Sequence, residues 1–338
     1  MPGWKSVLEE IEKKSREDTP IDWVRRKYLK NLSEYTGRNV IAYYSGWLQH
    51  GIGLPGIPVN DADINSLMSA VHQLDRSKGL DLILHTPGGD IGATENFVKY
   101  LWKMFNKDIR VIVPQIAMSA GTMIACASKE IIMGKQSSLG PIDPQIYGMP
   151  AEAVLEEFQM AANSIKQDPA TTPLWQALIS KYHPTLLVEC AQAITLSREM
   201  VHRWLCENMF EEDSEKTVIV DDIMAYLSSH AETKTHSRHI CMEKCESLKL
   251  RIRRLEDDDE LQDLVLTVHH AYMHTFSMFL ATKIIENQLG VASVTLINSP
   301  SSRPPIIPNQ AMFPWPQPNP DVADEAPPVA PTDNSTDQ

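Results

Sequence analysis

Apolar positions in the first 150 residues follow two spacings. Asn39-Val-Ile-Ala-Tyr-Tyr44, Gly79-Leu-Asp-Leu-Ile-Leu-His85, Ile109 to Pro114 and Lys129-Glu-Ile-Ile-Met133 are short, nearly continuous apolar runs, the pattern of strands buried on both faces. Between them, Ile64 to Leu74, Glu95 to Phe105 and Ser119 to Ala127 repeat at helical spacing. This alternation predicts parallel β-α-β units with right-handed crossovers, and hence an α/β fold. Trp4 to Leu32 predicts helix, interrupted at Asp18-Thr-Pro-Ile21. Beyond Pro150 the chain reads as helix almost throughout to Leu289, with Val218-Ile-Val220 too short to assign. Three segments result: an N-terminal helical segment over 1–35, a main domain over 36–297 and a tail over 298–338. From Ser299 onward the tail holds 11 of the protein's 23 prolines, which fix φ and remove amide donors, so it is expected to be disordered. Met312-Phe-Pro-Trp-Pro316 within it is a candidate docking motif for a partner.

Charge narrows the function classes. Lys+Arg is 31 against Asp+Glu 44, a net charge of -13, and a field of that sign repels phosphate backbones, so no nucleic-acid partner is expected. The N-terminal residues carry charges throughout and show no secretory h-region. Val111 to Ser128 is long and uncharged, but Pro114, Gln115, Ser119 and Gly121 break it. It reads as a buried strand–turn–helix, and no integral membrane segment is expected. Five scattered cysteines do not suggest a disulfide framework, which points to a reducing cytoplasm.

Two glycine-containing turns each follow a strand: His85-Thr-Pro-Gly-Gly-Asp90 and Ala117-Met-Ser-Ala-Gly-Thr122. In a parallel sheet both fall near the carboxyl ends of the strands, where ligands bind in open α/β folds. Gly88 and Gly89 allow backbone angles that expose amide N–H groups, and Ser119 begins a helix among small neighbours. One turn can thus present a nucleophile and the other an oxyanion-binding amide, the pairing acyl transfer needs. Taken singly, each has a plainer reading, Ser119 as a helix N-cap and Gly88-Gly89 as a tight turn.

Together, Thr86-Pro-Gly-Gly89 and Met118-Ser-Ala-Gly121 resemble the Clp protease and signal peptide peptidase A superfamily, whose fold is crotonase-like. Thr36-Gly-Arg-Asn-Val-Ile-Ala-Tyr-Tyr44, Leu80 to Gly89, Ala117 to Cys126 and Met133-Gly-Lys-Gln-Ser-Ser-Leu-Gly-Pro-Ile-Asp-Pro-Gln145 resemble, more closely, the serine dehydrogenase proteinase family. That resemblance runs from about Asp22 to Gly290. It implies a Clp/crotonase-like core of β-α-β units with a helical C-terminal region, hydrolysis of a peptide or protein substrate, and a homo-oligomer. It places Ser119 as nucleophile and the amides of Gly88 and Ala120 in the oxyanion hole, with Gly89 as a further candidate.

The base is less directly marked. The Clp branch has a histidine about two dozen residues after its serine; here Ser138-Leu-Gly-Pro-Ile-Asp-Pro-Gln145 has none, and Asp143 falls near that place. A carboxylate is too acidic to take a serine proton efficiently without a large shift. The signal peptide peptidase branch uses a lysine on a later helix. Lys166, 47 residues after Ser119, fits that spacing and gives a candidate Ser–Lys dyad; its plainer reading is a surface cation at a helix C-terminus. His183 is a weaker alternative.

Other clusters have bland readings. His236, His239, Cys241 and Cys245 fit no common zinc spacing, and Met242 to Arg254 reads as an amphipathic helix. His270 and His274 share a helical face, and Glu256-Asp-Asp-Asp-Glu260 lacks the ligand pattern of a Ca²⁺ loop. No metal and no cofactor are expected. No Walker A or dinucleotide fingerprint is present. Two other functions remain open: an acyl-CoA hydratase or hydrolase on the same fold, and a catalytically degenerate scaffold.

Overall fold

The computed structural model describes residues 4–13 and 20–297. The tail, with Met312–Pro316, lies outside the described residues. In chain order the strands are β1 (Asn39–Ser45), β2 (Leu80–His85), β3 (Ile109–Val113), β4 (Ile116–Ala117), β5 (Glu130–Met133) and β6 (Ser138–Leu139). They continue with β7 (Gln145–Ile146), β8 (Met149–Pro150), β9 (Ile240–Cys241), β10 (Ile252–Arg254), β11 (Ala281–Asn287) and β12 (Ala292–Leu296). The helices begin with α1 (Trp4–Lys13), α2 (Pro20–Thr36), α3 (Trp47–His50), α4 (Asp63–Val71), α5 (Ile91–Phe105), α6 (Ala120–Cys126) and α7 (Ala151–Gln167). They end with α8 (Thr172–Ile179), α9 (Leu186–Trp204), α10 (Lys216–Leu227), α11 (His230–Thr233), α12 (Met242–Ser247) and α13 (Asp259–Met278).

Seven strands form one mixed sheet in the order β10-β5-β3-β2-β1-β11-β12. The run from β10 to β1 is parallel, and β11 and β12 add antiparallel. Side chains alternate across the sheet because successive residues of a strand face opposite ways. Ile41, Tyr43, Leu82, Leu84, Val111, Val113 and Ile131 pack toward α4, α5, α6, α9 and α10. Val40, Ala42, Tyr44, Ile83, Ile112 and Ile132 pack toward α2 and α13. Both faces are covered, which is why these strands read as continuous apolar runs. The α/β expectation holds, and Val111 to Ser128 is β3, β4 and α6. Among the described residues no helix is long and apolar enough to cross a membrane.

The expectation of helix from Pro150 to Leu289 is corrected here. Ala281–Asn287 is β11, fully buried beside β1, and Ala292–Leu296 is the edge strand β12. β11 hides its strand character because Lys283 and Glu286 sit inside it and are neutralised by buried partners. Lys283 Nζ is 2.7 Å from Asp63, and Glu286 accepts from Arg25 Nε at 2.9 Å. The helix expected over Met242 to Arg254 stops at Ser247; Lys249 takes φ 66°, which ends the helix and turns the chain into β10.

Candidate active site

The two glycine turns lie side by side. Thr86 N–H donates to Ile116 O at 3.2 Å and Met118 N–H donates to Thr86 O at 3.0 Å, so the end of β2 pairs with β4. Beyond the first turn Asp90 caps α5, its carboxylate accepting from Ala93 N at 2.7 Å. Beyond the second, α6 starts at Ala120. Small residues are required between them. A Cβ on Gly121 would lie 2.6 Å from Thr86 Cγ2, and Gly88 takes φ +103° hard against the Cβ of Ser119.

Ser119 has φ 50° and ψ -115°, a left-handed conformation costing an L-residue about 1–3 kcal/mol. It is the geometry of a nucleophile elbow, where a sharp strand-to-helix turn pushes the side chain outward. Ser119 occupies the N-cap position, yet its hydroxyl makes no capping bond. The plain N-cap reading thus leaves the strain without a return.

The amides around Ser119 sort themselves by pairing. Val59 N–H donates to Gly88 O at 2.8 Å and Asp90 N–H donates to Val59 O at 2.9 Å. These bonds bracket Gly89 and pair it with Val59 as a parallel bridge, in which the N–H and C=O of Gly89 point away from Val59. The approach is close: a Cβ on Gly89 would meet Val59 N and O at 2.3 Å. Gly88 N–H is instead turned into its own loop, donating to Thr86 Oγ1 at 3.2 Å. Ala120, first residue of α6, has no intrahelical acceptor for its N–H. Of the amides named from the sequence, that of Gly88 is engaged within its own turn.

A third wall comes from the small sheet β4-β6-β9. Thr122 Oγ1 donates to Ala117 O at 2.9 Å and accepts from Gly140 N at 2.9 Å, fixing the loop after β6 against the serine turn. Gly140 has no room for a Cβ, which would touch Met118 Cε at 2.6 Å. Further on, Ile142 N–H donates to Leu227 O and Ile142 O accepts from Ser197 Oγ. Asp143 is therefore buried, at 1% exposure. Its Oδ1 lies 2.8 Å from His236 Nδ1 and its Oδ2 3.5 Å from His230 Nδ1.

The remaining sequence candidates stand elsewhere. Lys166 is exposed on the last turn of α7, a helix packed on α8, α9 and β8. His183 hydrogen-bonds Thr185 Oγ1 at 2.9 Å. Of the nearby cysteines and histidines, His239 is held 2.7 Å from Ser138 Oγ and Cys245 is buried. His85, in the first motif, points to the opposite face of the sheet, among Tyr44, Trp47 and His269. Burial holds its pKa well below the usual histidine value, so the ring is neutral.

Sequence reasoning missed the pairing of His236 with Asp143, which spans 93 residues. The available signal was Asp143 itself, an acid in an apolar, proline-flanked run that needs a buried partner.

A strained, uncapped serine at a strand-to-helix turn, packed against a glycine turn at the carboxyl end of β2, defines an α/β protein with a candidate active site. The chain belongs to the ClpP-like SDH-type serine proteinases, whose family profile matches residues 13–253. An uncharacterized protein of Methanocaldococcus jannaschii is 40% identical over 139 residues, covering 40% of this chain and 48% of the relative. A second uncharacterized protein of that organism is 32% identical over 148 residues, 43% of this chain and 50% of the relative. The chain thus spans about half the length of these curated relatives.

Proposed function

We propose that this chain is a serine peptidase. Ser119 Oγ attacks the carbonyl carbon of a peptide bond, and the tetrahedral oxyanion is received by the N–H groups of Ala120 and Gly89. The C–N bond then breaks as the leaving amine takes a proton from the general base, and water releases the acyl group by the reverse proton path. Each oxyanion donor of this type is worth about 3–4 kcal/mol in the transition state. The observation that carries the reading is the backbone of Ser119: φ 50° and ψ -115° with an uncapped hydroxyl. A scaffold without chemistry has no use for that strain.

A Ser–Lys dyad, the form expected from the sequence, would need Lys166 at Ser119, and its exposed place on α7 gives that version no support. The reading includes a peptide or protein substrate and self-association, the latter checked by analytical ultracentrifugation.

The test is labelling of the purified chain with a fluorophosphonate, with the adduct mapped by mass spectrometry. The expected result is a single adduct on Ser119, absent in Ser119→Ala, with cleavage of a peptide library lost in the same variant. Unchanged cleavage by folded Ser119→Ala would overturn the reading. Acyl-CoA binding by calorimetry, with no Ser119 adduct, would replace it with the acyl-CoA alternative.

A further inference from the structure

We infer that His236 is the general base for Ser119 and that Asp143 is its positioning residue. The inference rests on the reading of Ser119 as nucleophile.

Strand register carries the placement. Ala117 of β4 pairs in parallel with Leu139 of β6, and Leu139 pairs antiparallel with Ile240 of β9. Leaving β4 and β6 at the same end, the chain reaches Ser119 on one strand and Gly140 to Asp143 on the next. Because β9 runs the other way, the residues arriving at that end are those preceding Ile240, back to His236. Three segments therefore deliver Ser119, Asp143 and His236 to one end of one small sheet, and the Thr122 hydroxyl ties the first two together.

The chemistry fits a base held by an acid. Among the described residues, Asp143 has no lysine or arginine partner; its Oδ1 faces His236 Nδ1, while its Oδ2 accepts from Gln145 Nε2 at 3.4 Å and lies 3.5 Å from His230 Nδ1. A buried carboxylate must be compensated by donors. His236 Nδ1, at 2.8 Å from Oδ1, is then the donor, which leaves Nε2 with a bare lone pair. His236 keeps 27% of its side chain exposed, so the ring is not sealed from solvent. His230 is the lesser candidate: its Nδ1 stands at 3.5 Å and makes no hydrogen bond among the described residues. Its backbone N–H donates to Glu152 Oε2. Among the described residues no group of three His, Cys, Asp or Glu is disposed to hold a metal ion.

In the step itself, His236 Nε2 takes the Ser119 Oγ proton as the Oγ–C bond forms. The imidazolium returns that proton to the amine nitrogen as the C–N bond breaks, while Asp143 stays ionised and holds the tautomer. The carboxylate thus sits in the loop where the Clp-like pattern has its histidine, and the imidazole arrives from a segment 117 residues after Ser119.

Fluorophosphonate inactivation kinetics of the full chain test this, with kinact and KI measured separately. For wild type, the adduct must form on Ser119. His236→Ala and His236→Asn should lower kinact about 10²–10⁴-fold with KI unchanged, and free imidazole should restore part of the rate in His236→Ala. Asn at 236 retains a donor for Asp143, so it serves if the alanine variant fails to fold. Asp143→Asn should lower kinact at constant KI without imidazole rescue. Wild-type kinact in the folded His236 variants, or loss confined to Lys166→Ala, would overturn the inference and leave Ser119 as nucleophile. No Ser119 adduct in the wild-type chain would remove the parent reading as well.

Discussion

A Cβ placed on Gly88 would stand 2.7 Å from the Cβ of Ser119 and 2.9 Å from Met118 O. The first turn and Ser119 therefore share one van der Waals boundary. Gly88→Ala also forces an L-residue to φ +103°, costing about 1–3 kcal/mol before crowding is counted. Urea unfolding should show at least that loss. Fluorophosphonate labelling of Ser119 should slow even where the fold survives, because the neighbour that must move is the serine. A variant with wild-type stability and wild-type labelling would mean that the two turns are farther apart than described.

Strain at Ser119 predicts a substitution that helps the fold and ends the chemistry. Glycine adopts φ 50° and ψ -115° freely, and the serine hydroxyl makes no capping bond that would be lost. Ser119→Gly should therefore raise stability by about 1 kcal/mol relative to Ser119→Ala, offset in part by the more flexible unfolded chain. Both variants should be unlabelled. Equal midpoints and equal slopes in urea for the two would argue that the elbow is unstrained.

Ser119 was legible in the sequence because its signals are local: a strand, a small-residue turn and a helix start within a few residues. The parallel half of the sheet was legible for the same reason, since doubly covered strands are simple apolar runs. β11 was not, because Lys283 and Glu286 are polar positions whose partners, Asp63 and Arg25, lie more than 200 residues away. The pairing of Asp143 with His236 escaped likewise, being created by the return of β9 onto β6 rather than by any spacing. That Gly88 N–H is spent on Thr86 Oγ1 was hidden as well, because it depends on how the turn folds back on itself.

Two buried histidines predict how the protein responds to acid. Burial lowers the pKa of His85 well below its ordinary value, aided by His269; burial, with a contribution from His270, lowers that of His269 to about 3. In the unfolded chain both protonate as pH falls below about 6.5, while in the folded chain they do not. Their contribution to stability is thus complete above that pH and is lost as pH falls toward the folded values. Each should contribute a slope of about 1.4 kcal/mol per pH unit over that window. His85→Leu, which removes one of these groups at similar volume, should give a shallower loss of stability when urea unfolding is compared between about pH 6 and pH 4. Parallel stability curves for wild type and variant would show that His85 does not titrate between the two states.

The turn at Gly88 and Gly89 has a remote support in the buried pair of Lys283 and Asp63. Lys283 Nζ donates to Asp63 Oδ1 at 2.7 Å and to Pro58 O at 2.8 Å. Asp63 also accepts from Asn60 N at 3.1 Å and from Tyr43 OH at 2.7 Å. The pair therefore grips both sides of Val59, the residue whose N–H and C=O bond Gly88 O and Asp90 N–H. Burial lowers the Lys283 pKa, with Asp63 opposing that shift, so removing the carboxylate leaves the ammonium poorly compensated. Asp63→Ala should cost about 3–5 kcal/mol in urea unfolding. Asp63→Ala with Lys283→Met should cost less than the sum of the two single changes, since no lone charge stays buried. Labelling should part company with stability: the double variant regains stability, yet the Pro58 carbonyl and Asn60 amide have lost their anchors. Its kinact should stay below wild type. Full recovery of kinact in the double variant would show that Val59 is held without the pair, and that the ion pair serves the fold alone.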